Sequence, residues 1–179
     1  YGADSELNDH HFDYGYLIDA AATVARHDPS WATQYGGMVD LIARDANSPD
    51  RADPMFPYMR HFDAYEGHSW ANGHANFGSG NNQESSSEAM NYNQSLIQWG
   101  TVTGNTKLRD EGIYLFTTEK AAVENYWNDE SGENFPAGFD KDAGIVWGDG
   151  VAHATWFSAH AEEITGINIL PFTGASLYM

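Results

Sequence analysis

Carboxylates at fixed spacing are the residues of this chain whose pattern first suggests chemistry. Within Asn81-Asn82-Gln83-Glu84-Ser85-Ser86-Ser87-Glu88-Ala89-Met90-Asn91, Glu84 and Glu88 stand four positions apart. On a helix that spacing puts both side chains on one face, one turn apart. Like charges so placed repel, so selection for stability alone disfavours the pair. The plain structural reading is a helix start, with Asn81 or Asn82 as cap and Glu84 near the positive end of the helix. A second cluster, Asn8-Asp9-His10-His11-Phe12-Asp13-Tyr14-Gly15-Tyr16, repeats the pattern with Asp9 and Asp13. It too reads as an acidic N-terminal cap. Its tyrosines add flat apolar faces with a polar edge, suited to stacking on sugar rings. A third cluster, Tyr65 to Gly78, mixes Glu66, His68, Trp70, Asn72, His74 and Asn76 with glycines. It has the composition of a carbohydrate groove lining.

Other chemistries have less support. The chain has eight histidines but no HExxH, CxxC or paired-histidine spacing for a metal. There is no phosphate loop and no nucleophile elbow. With no cysteine, thiolate chemistry and disulfides are excluded. The Asn93-Gln94-Ser95 sequon falls inside an expected helix. What remains is carboxylates, histidines and aromatics without a covalent nucleophile motif. That set suits glycosidic hydrolysis by paired carboxylates, which requires no cofactor.

These residues need helices to position them. The apolar pattern predicts helices over 8–27 (Leu17, Ile18, Ala21 and Val24 inward), 31–46 (Met38, Leu41 and Ile42 inward), 83–100, 105–127 and about 152–164. Long loops cover 48–82 and 129–150, and 168–179 reads as a loop. Strand signals are weak throughout. The class is therefore mainly α, built from helical hairpins joined alternately by short and long loops. Such an arrangement looks like a sector of a helical toroid.

Charge limits the partners. Of 179 residues, 26 are acidic and 8 basic, a formal charge of -18, so nucleic acid and anionic membranes would be repelled. A neutral polymer would not be, although the acidity also suits a salty habitat. No apolar run reaches the length of a membrane span. The chain opens at Tyr1 without an initiator Met or a visible signal peptide, which reads as an excised segment.

The segments Leu7–Tyr16, Gly67–Asn91, Leu108–Glu119 and Leu170–Tyr178 closely resemble glycoside hydrolase family 81. The resemblance covers nearly the whole chain. It implies inverting endo-hydrolysis of 1,3-β-glucan outside the cell, on a portion of an (α/α)6 toroid, with the other hairpins and an N-terminal β-sandwich domain elsewhere in a parent enzyme. By the same resemblance Asp9 is the general acid, and Glu84 and Glu88 are two candidates for the base. Asp13, Tyr14, Tyr16, His68, Trp70 and Asn82 are the candidates for binding glucose units. The family usually carries histidine at the position of Asp13. The aspartate adds a like charge beside Asp9, which favours a protonated acid. Two rival readings stand beside this one. A glucan-binding fragment or inactive homologue without turnover would release no reducing ends. A polysaccharide lyase would need cations that the motif clusters lack. In an isolated sector, the stripe on 108–126 and Ile164, Ile167, Ile169 and Leu170 are expected to lose apolar cover.

Overall fold

Helices dominate the chain, and one of them is the axis around which the rest is arranged. The computed structural model describes residues 2–140 and 143–178. Helices α1 (His10–His27) and α2 (Pro29–Ala46) form one hairpin, and α3 (Ser86–Thr103) and α4 (Thr106–Tyr126) form another. A short α5 (Ala161–Ile169) and a 3₁₀ turn (Gly174–Tyr178) follow. Helix α3 lies between α1 and α4 and also meets α5 and the 3₁₀ turn. The connections are tight because the sequence stops each helix sharply. Asp28 alone links α1 to α2, and its carboxylate accepts from the Ser30 and Trp31 N–H groups while Pro29 opens the next helix. Gly104, at φ 75°, ends α3, and Asn105 caps α4 through the Leu108 N–H.

Small residues let the helices approach one another. A Cβ on Gly15 of α1 would lie 3.0 Å from the Tyr92 Cα of α3, and one on Gly112 of α4 would lie 2.9 Å from the Ile97 nitrogen. The main core follows from this closeness: Ile18, Ala21, Ala22 and Ala25 meet Val39, Ala43, Tyr92, Leu96, Trp99, Leu108 and Leu115. The pattern of large apolar residues misjudges this face. Leu17 is 58% exposed and Met38 69%, and Val24 and Leu41 are also exposed. Alanines and glycine, not the bulkiest side chains, are what close helix packing selects here. Helix α4 buries Leu108, Leu115, Ala122 and Val123 but exposes Ile113, Tyr114 and Tyr126. Ile164 is buried, Ile167 half-buried, and Ile169 and Leu170 exposed.

The long loops contain short strands that the sequence pattern did not reveal. β1 (Phe62–Asp63) pairs antiparallel with β2 (His68–Ser69). β3 (Asn82–Gln83), β4 (Ile145–Trp147) and β5 (Gly150–Ala152) form an antiparallel sheet in that order. At two or three residues each, these strands are too short for alternation to show. The fifth helix also starts later than its apolar pattern suggests. Thr155 forms a turn first: its Oγ1 accepts from the Phe157 and Ser158 N–H groups, and its N–H donates to the Ser158 carbonyl. The class remains mainly α.

Candidate active site

Asp9 occupies the first-cap position of α1 but does not cap it. Its backbone is left-handed (φ 61°, ψ 11°), and its carboxylate makes no hydrogen bond to the helix. A non-glycine residue there costs free energy that its surroundings must offset. Its N–H donates to the Ala71 carbonyl at 2.9 Å, and Asn8 Nδ2 donates to its Oδ2 at 2.8 Å. The next residue, His10, is fastened by Asp45 (2.5 Å) and by the Ala3 carbonyl (2.7 Å), and Arg60 also pairs with Asp45. His11 is fully buried against His61, and burial holds its pKa well below the ordinary histidine value. The adjacent histidines therefore anchor the start of α1 next to Asp9.

Glu84 lies outside helix α3. It follows β3, and Ser85 is the residue that precedes the helix, so Glu84 and Glu88 are not successive turns of one helix. Neither Asn81 nor Asn82 caps it. Asn81 Oδ1 accepts from the Asn72 and Asn82 N–H groups, and Asn82 pairs with Trp147 in the β3–β4 ladder. The three serines between the glutamates brace the segment. Ser85 and Ser87 donate to the Ile167 carbonyl, Ser86 to Asn168 Oδ1, and Ser87 also to the Leu170 carbonyl. One further peptide links the two acidic segments, because the Ala71 N–H donates to the Asn82 carbonyl at 2.7 Å. Ala71 thus bonds to Asp9 on one side and to the strand leading into Glu84 on the other.

The three carboxylates share one electrostatic environment. Burial, then the charges of Asp13 and Glu88, raise Asp9 to about 6. Burial, then Asp9 and Glu88, raise Glu84 to about 7, offset in part by the Trp156 N–H. Glu84 Oε2 is buried and has no protein partner. Glu88 differs: Tyr16 donates to its Oε1 at 2.8 Å. Burial and that carboxylate push the Tyr16 phenol upward, so it stays a donor. Tyr16 and Glu88 line a groove of about 400 Å³ with Ser85, Phe157, Glu162, Glu163, Ile167 and Leu170.

The remaining residues singled out in the sequence lie in different places. Asp13 is exposed, one turn beyond Asp9. Tyr14 packs on the main core and its hydroxyl faces His10 at 3.4 Å, away from the groove. His68 is buried among Trp70, Tyr126 and Trp127. Trp70 is half-buried, donates to Asp63, and with His68 and Trp147 lines a second cavity of about 220 Å³. Asn82 is buried in its strand. Of the aromatic residues that the motifs did not single out, Phe157 lines the groove and Trp147 the second cavity. Their signal was aromatic content alone.

Two carboxylates raised towards neutrality, Asp9 and Glu84, and a third held by a phenol in a groove rich in apolar surface are equipment suited to acid–base hydrolysis of an uncharged polymer. Comparison with known proteins gives the family. Residues 1–179 match the glycosyl hydrolase family 81 C-terminal domain, and the chain belongs to that family. It is 52% identical to a glucan endo-1,3-beta-D-glucosidase of Thermobifida fusca over 182 residues, covering 100% of this chain and 24% of that protein. A glucan endo-1,3-beta-D-glucosidase of Acetivibrio thermocellus is 53% identical, again over 100% of this chain and 24% of that protein. The primary septum glucan endo-1,3-beta-D-glucosidase of Schizosaccharomyces pombe is 34% identical, over 98% of this chain and 18% of that protein. A glutamate-to-alanine variant of a family 81 glycoside hydrolase from Clostridium thermocellum superposes with a TM-score of 0.95 at 52% identity, over 99% of this chain and 25% of that one. The chain spans about a quarter of the length of these two bacterial relatives.

Proposed function

We propose that this chain carries the acid and base of an inverting glycoside hydrolase that cleaves internal 1,3-β-glucosidic bonds, as the names of its relatives suggest. The observation that carries the reading is the shared field of Asp9, Glu84 and Glu88, with an orphaned oxygen on Glu84. Asp9, raised by burial and by neighbouring charge, protonates the leaving glycosidic oxygen. Glu84 takes the proton of a water that attacks the anomeric carbon from the opposite face. That water satisfies Glu84 Oε2, which no protein group does. A base poised near neutrality is also a stronger proton acceptor than an ordinary carboxylate. Glu88 is already engaged by Tyr16, and the pair orients the sugar or the water. Inversion requires about 6.5–9.5 Å between acid and base carboxyls, enough for one water. Of the other candidates, Asp13 acts on Asp9 through its charge, and Trp70 is placed to meet a sugar. Tyr14, His68 and Asn82 act through the packing beneath the groove.

The same reading extends to the domain and its setting. Residues 1–179 form part of an (α/α)6 catalytic domain, and the rest of a parent polypeptide covers the outward apolar faces at Leu17, Met38 and Leu41. The substrate is 1,3-β-glucan of the laminarin, curdlan or fungal wall type, and the site of action is extracellular. The test is hydrolysis of a soluble 1,3-β-glucan by the full-length parent polypeptide, with the product anomer followed by NMR. The α-anomer should appear first, and Glu84→Gln should abolish its release while azide restores turnover. Initial formation of the β-anomer would overturn inversion. Saccharide binding without any reducing-end release would reduce the chain to a binding module.

A further inference from the structure

We propose that Gln83 is a positioning residue for Glu84: its side-chain amide spans Glu84, from the strand before it to the helix after it, and sets where the Glu84 carboxylate points. This rests on the reading of Glu84 as the base and adds the device that holds it.

Glu84 stands at a junction that belongs to neither neighbouring element. Strand β3 ends at Gln83, and helix α3 begins at Ser86. Glu88, by contrast, lies inside α3, where the helix itself fixes the direction of the side chain. A catalytic base must be held to within about 0.5 Å of its working position. Ladder pairing supplies that restraint only as far as residue 83, which sits opposite Val146.

The Gln83 side chain carries the restraint across. Its Oε1 accepts from the Ser85 N–H at 3.1 Å, so one side chain joins the residues on either side of Glu84. Its Nε2 donates to the Ser69 carbonyl at 2.9 Å and to Ser69 Oγ at 2.8 Å. The two ends of the amide cannot be exchanged. The Ser85 N–H can only donate and the Ser69 carbonyl only accept, and the one proton of Ser69 Oγ goes to Glu119 at 2.6 Å. Glu119, on α4, also accepts from the Ser69 N–H and from Asn93 on α3. The bracket around Glu84 therefore ends on both helices of the second hairpin.

Gln83, Ser69 and Ser85 are all buried, so water does not stand in for the amide. As a device for stability alone this is a poor choice. A buried amide gains little net free energy from its hydrogen bonds, and an apolar side chain of the same size would fill the space. What the amide adds is direction. The hydroxyls of Ser85, Ser86 and Ser87 tie the start of α3 to Ile167 and Asn168. Among the described hydrogen bonds, the one from Gln83 to Ser85 is the side-chain bond that bridges Glu84 itself.

The test uses the full-length parent polypeptide and a soluble 1,3-β-glucan. Gln83→Met keeps the length and bulk of the side chain and removes its bonds to Ser85 and Ser69. It should lower kcat about 10²-fold, the usual cost of about 1 Å of misplacement, with KM within about twofold of wild type. Azide separates misplacement from general damage. In Glu84→Gln, azide attacks the anomeric carbon and needs no base, Asp9 gives its proton to the departing oxygen, and the product is a glycosyl azide. In that background Gln83→Met should cost azide-supported turnover no more than about twofold, so the two substitutions are strongly non-additive. Azide should not rescue Gln83→Met alone, because the Glu84 carboxylate is still present and repels the anion. Each variant is checked for wild-type cooperative melting. Should Gln83→Met fail that check, Gln83→Asn decides in its place. The shorter amide still reaches the Ser85 N–H but not Ser69, so kcat should fall about tenfold with the same azide behaviour. A kcat within about twofold of wild type in the folded variant overturns the proposal. So does an equal loss of azide-supported turnover, which would mean that Gln83 shapes the groove as a whole. Wild-type turnover in Glu84→Gln would sink the base assignment and this proposal with it. An inactive, azide-rescued Glu84→Gln beside a fully active Gln83→Met would sink the positioning role alone.

Discussion

Two covered glutamates on this fold have opposite surroundings. Glu119, on α4, is 1% exposed, and its carboxylate accepts from the Ser69 N–H at 2.8 Å, Ser69 Oγ at 2.6 Å and Asn93 Nδ2 at 2.7 Å. Gln83 also donates to Ser69, so the clamp joins the 48–82 loop to both α3 and α4. Burial raises Glu119, and three hydrogen bonds oppose the rise. Glu84 is less covered but has an oxygen with no protein partner and two carboxylates near it. A satisfied buried charge holds segments together. An unsatisfied one beside a groove leaves its lone pair for something that is not protein.

The sharpest break in this contrast comes from removing each carboxylate in turn. Glu84→Gln should lower kcat about 10²–10⁴-fold with melting unchanged, since a general base is worth that much. Glu88→Gln should cost less, because Tyr16 can still hydrogen-bond the amide. Equal, mild losses from both substitutions would refute the assignment. Glu119→Ala should show the reverse pattern. It leaves the donors of Ser69 and Asn93 buried without a partner and should destabilise the fold by roughly 3 kcal/mol, read by denaturant titration. Wild-type stability in that variant would remove the clamp from the account.

Proton occupancy sharpens the contrast further. Asp9 near 6 must be protonated and Glu84 near 7 ionised, so kcat/KM should be bell-shaped with its maximum between those values. A maximum below pH 5 would mean that neither group sets it. Glu111, on α4, is a third case. Burial alone raises it to about 8, and neither oxygen has a protein partner. Its folded pKa lies above the unfolded value, so the stability linked to its proton is full below about 4.5 and is lost as pH rises through 8. Glu111→Gln should therefore raise the melting temperature at pH 8 and change little at pH 4, measured by calorimetry. The smallest effect is expected at the exposed Asp13. Asp13→Asn removes a charge that raises Asp9, so activity should fall on the order of threefold at pH 8, where Asp9 must still hold its proton, and be nearly unchanged at pH 5.

Some of this was written locally and some was not. The amino-acid order by itself determined the helices of both hairpins, because Asp28-Pro29, Gly104 and Asn105 stop and start them through contacts within a few residues. It also marked Asp9, Glu84 and Glu88, through motifs whose resemblance to one family extends over nearly the whole chain. It misplaced Glu84 on a helix, since Asn81 and Asn82 look like caps until β4 arrives from more than 60 residues away to pair with Asn82 and Gln83, so that the helix starts only at Ser86. It named Leu17 and Met38 as core because apolar size is visible in one dimension, whereas the close approach of α1 and α3 through Gly15 is not. The short strands, the Ala71 link between the Asp9 and Glu84 segments, the orphaned oxygen of Glu84 and the meeting of Phe77, Trp147 and Trp156 were decided only by tertiary structure. Each depends on groups brought together from distant segments, and in a sequence the spacing of such groups carries no period to read.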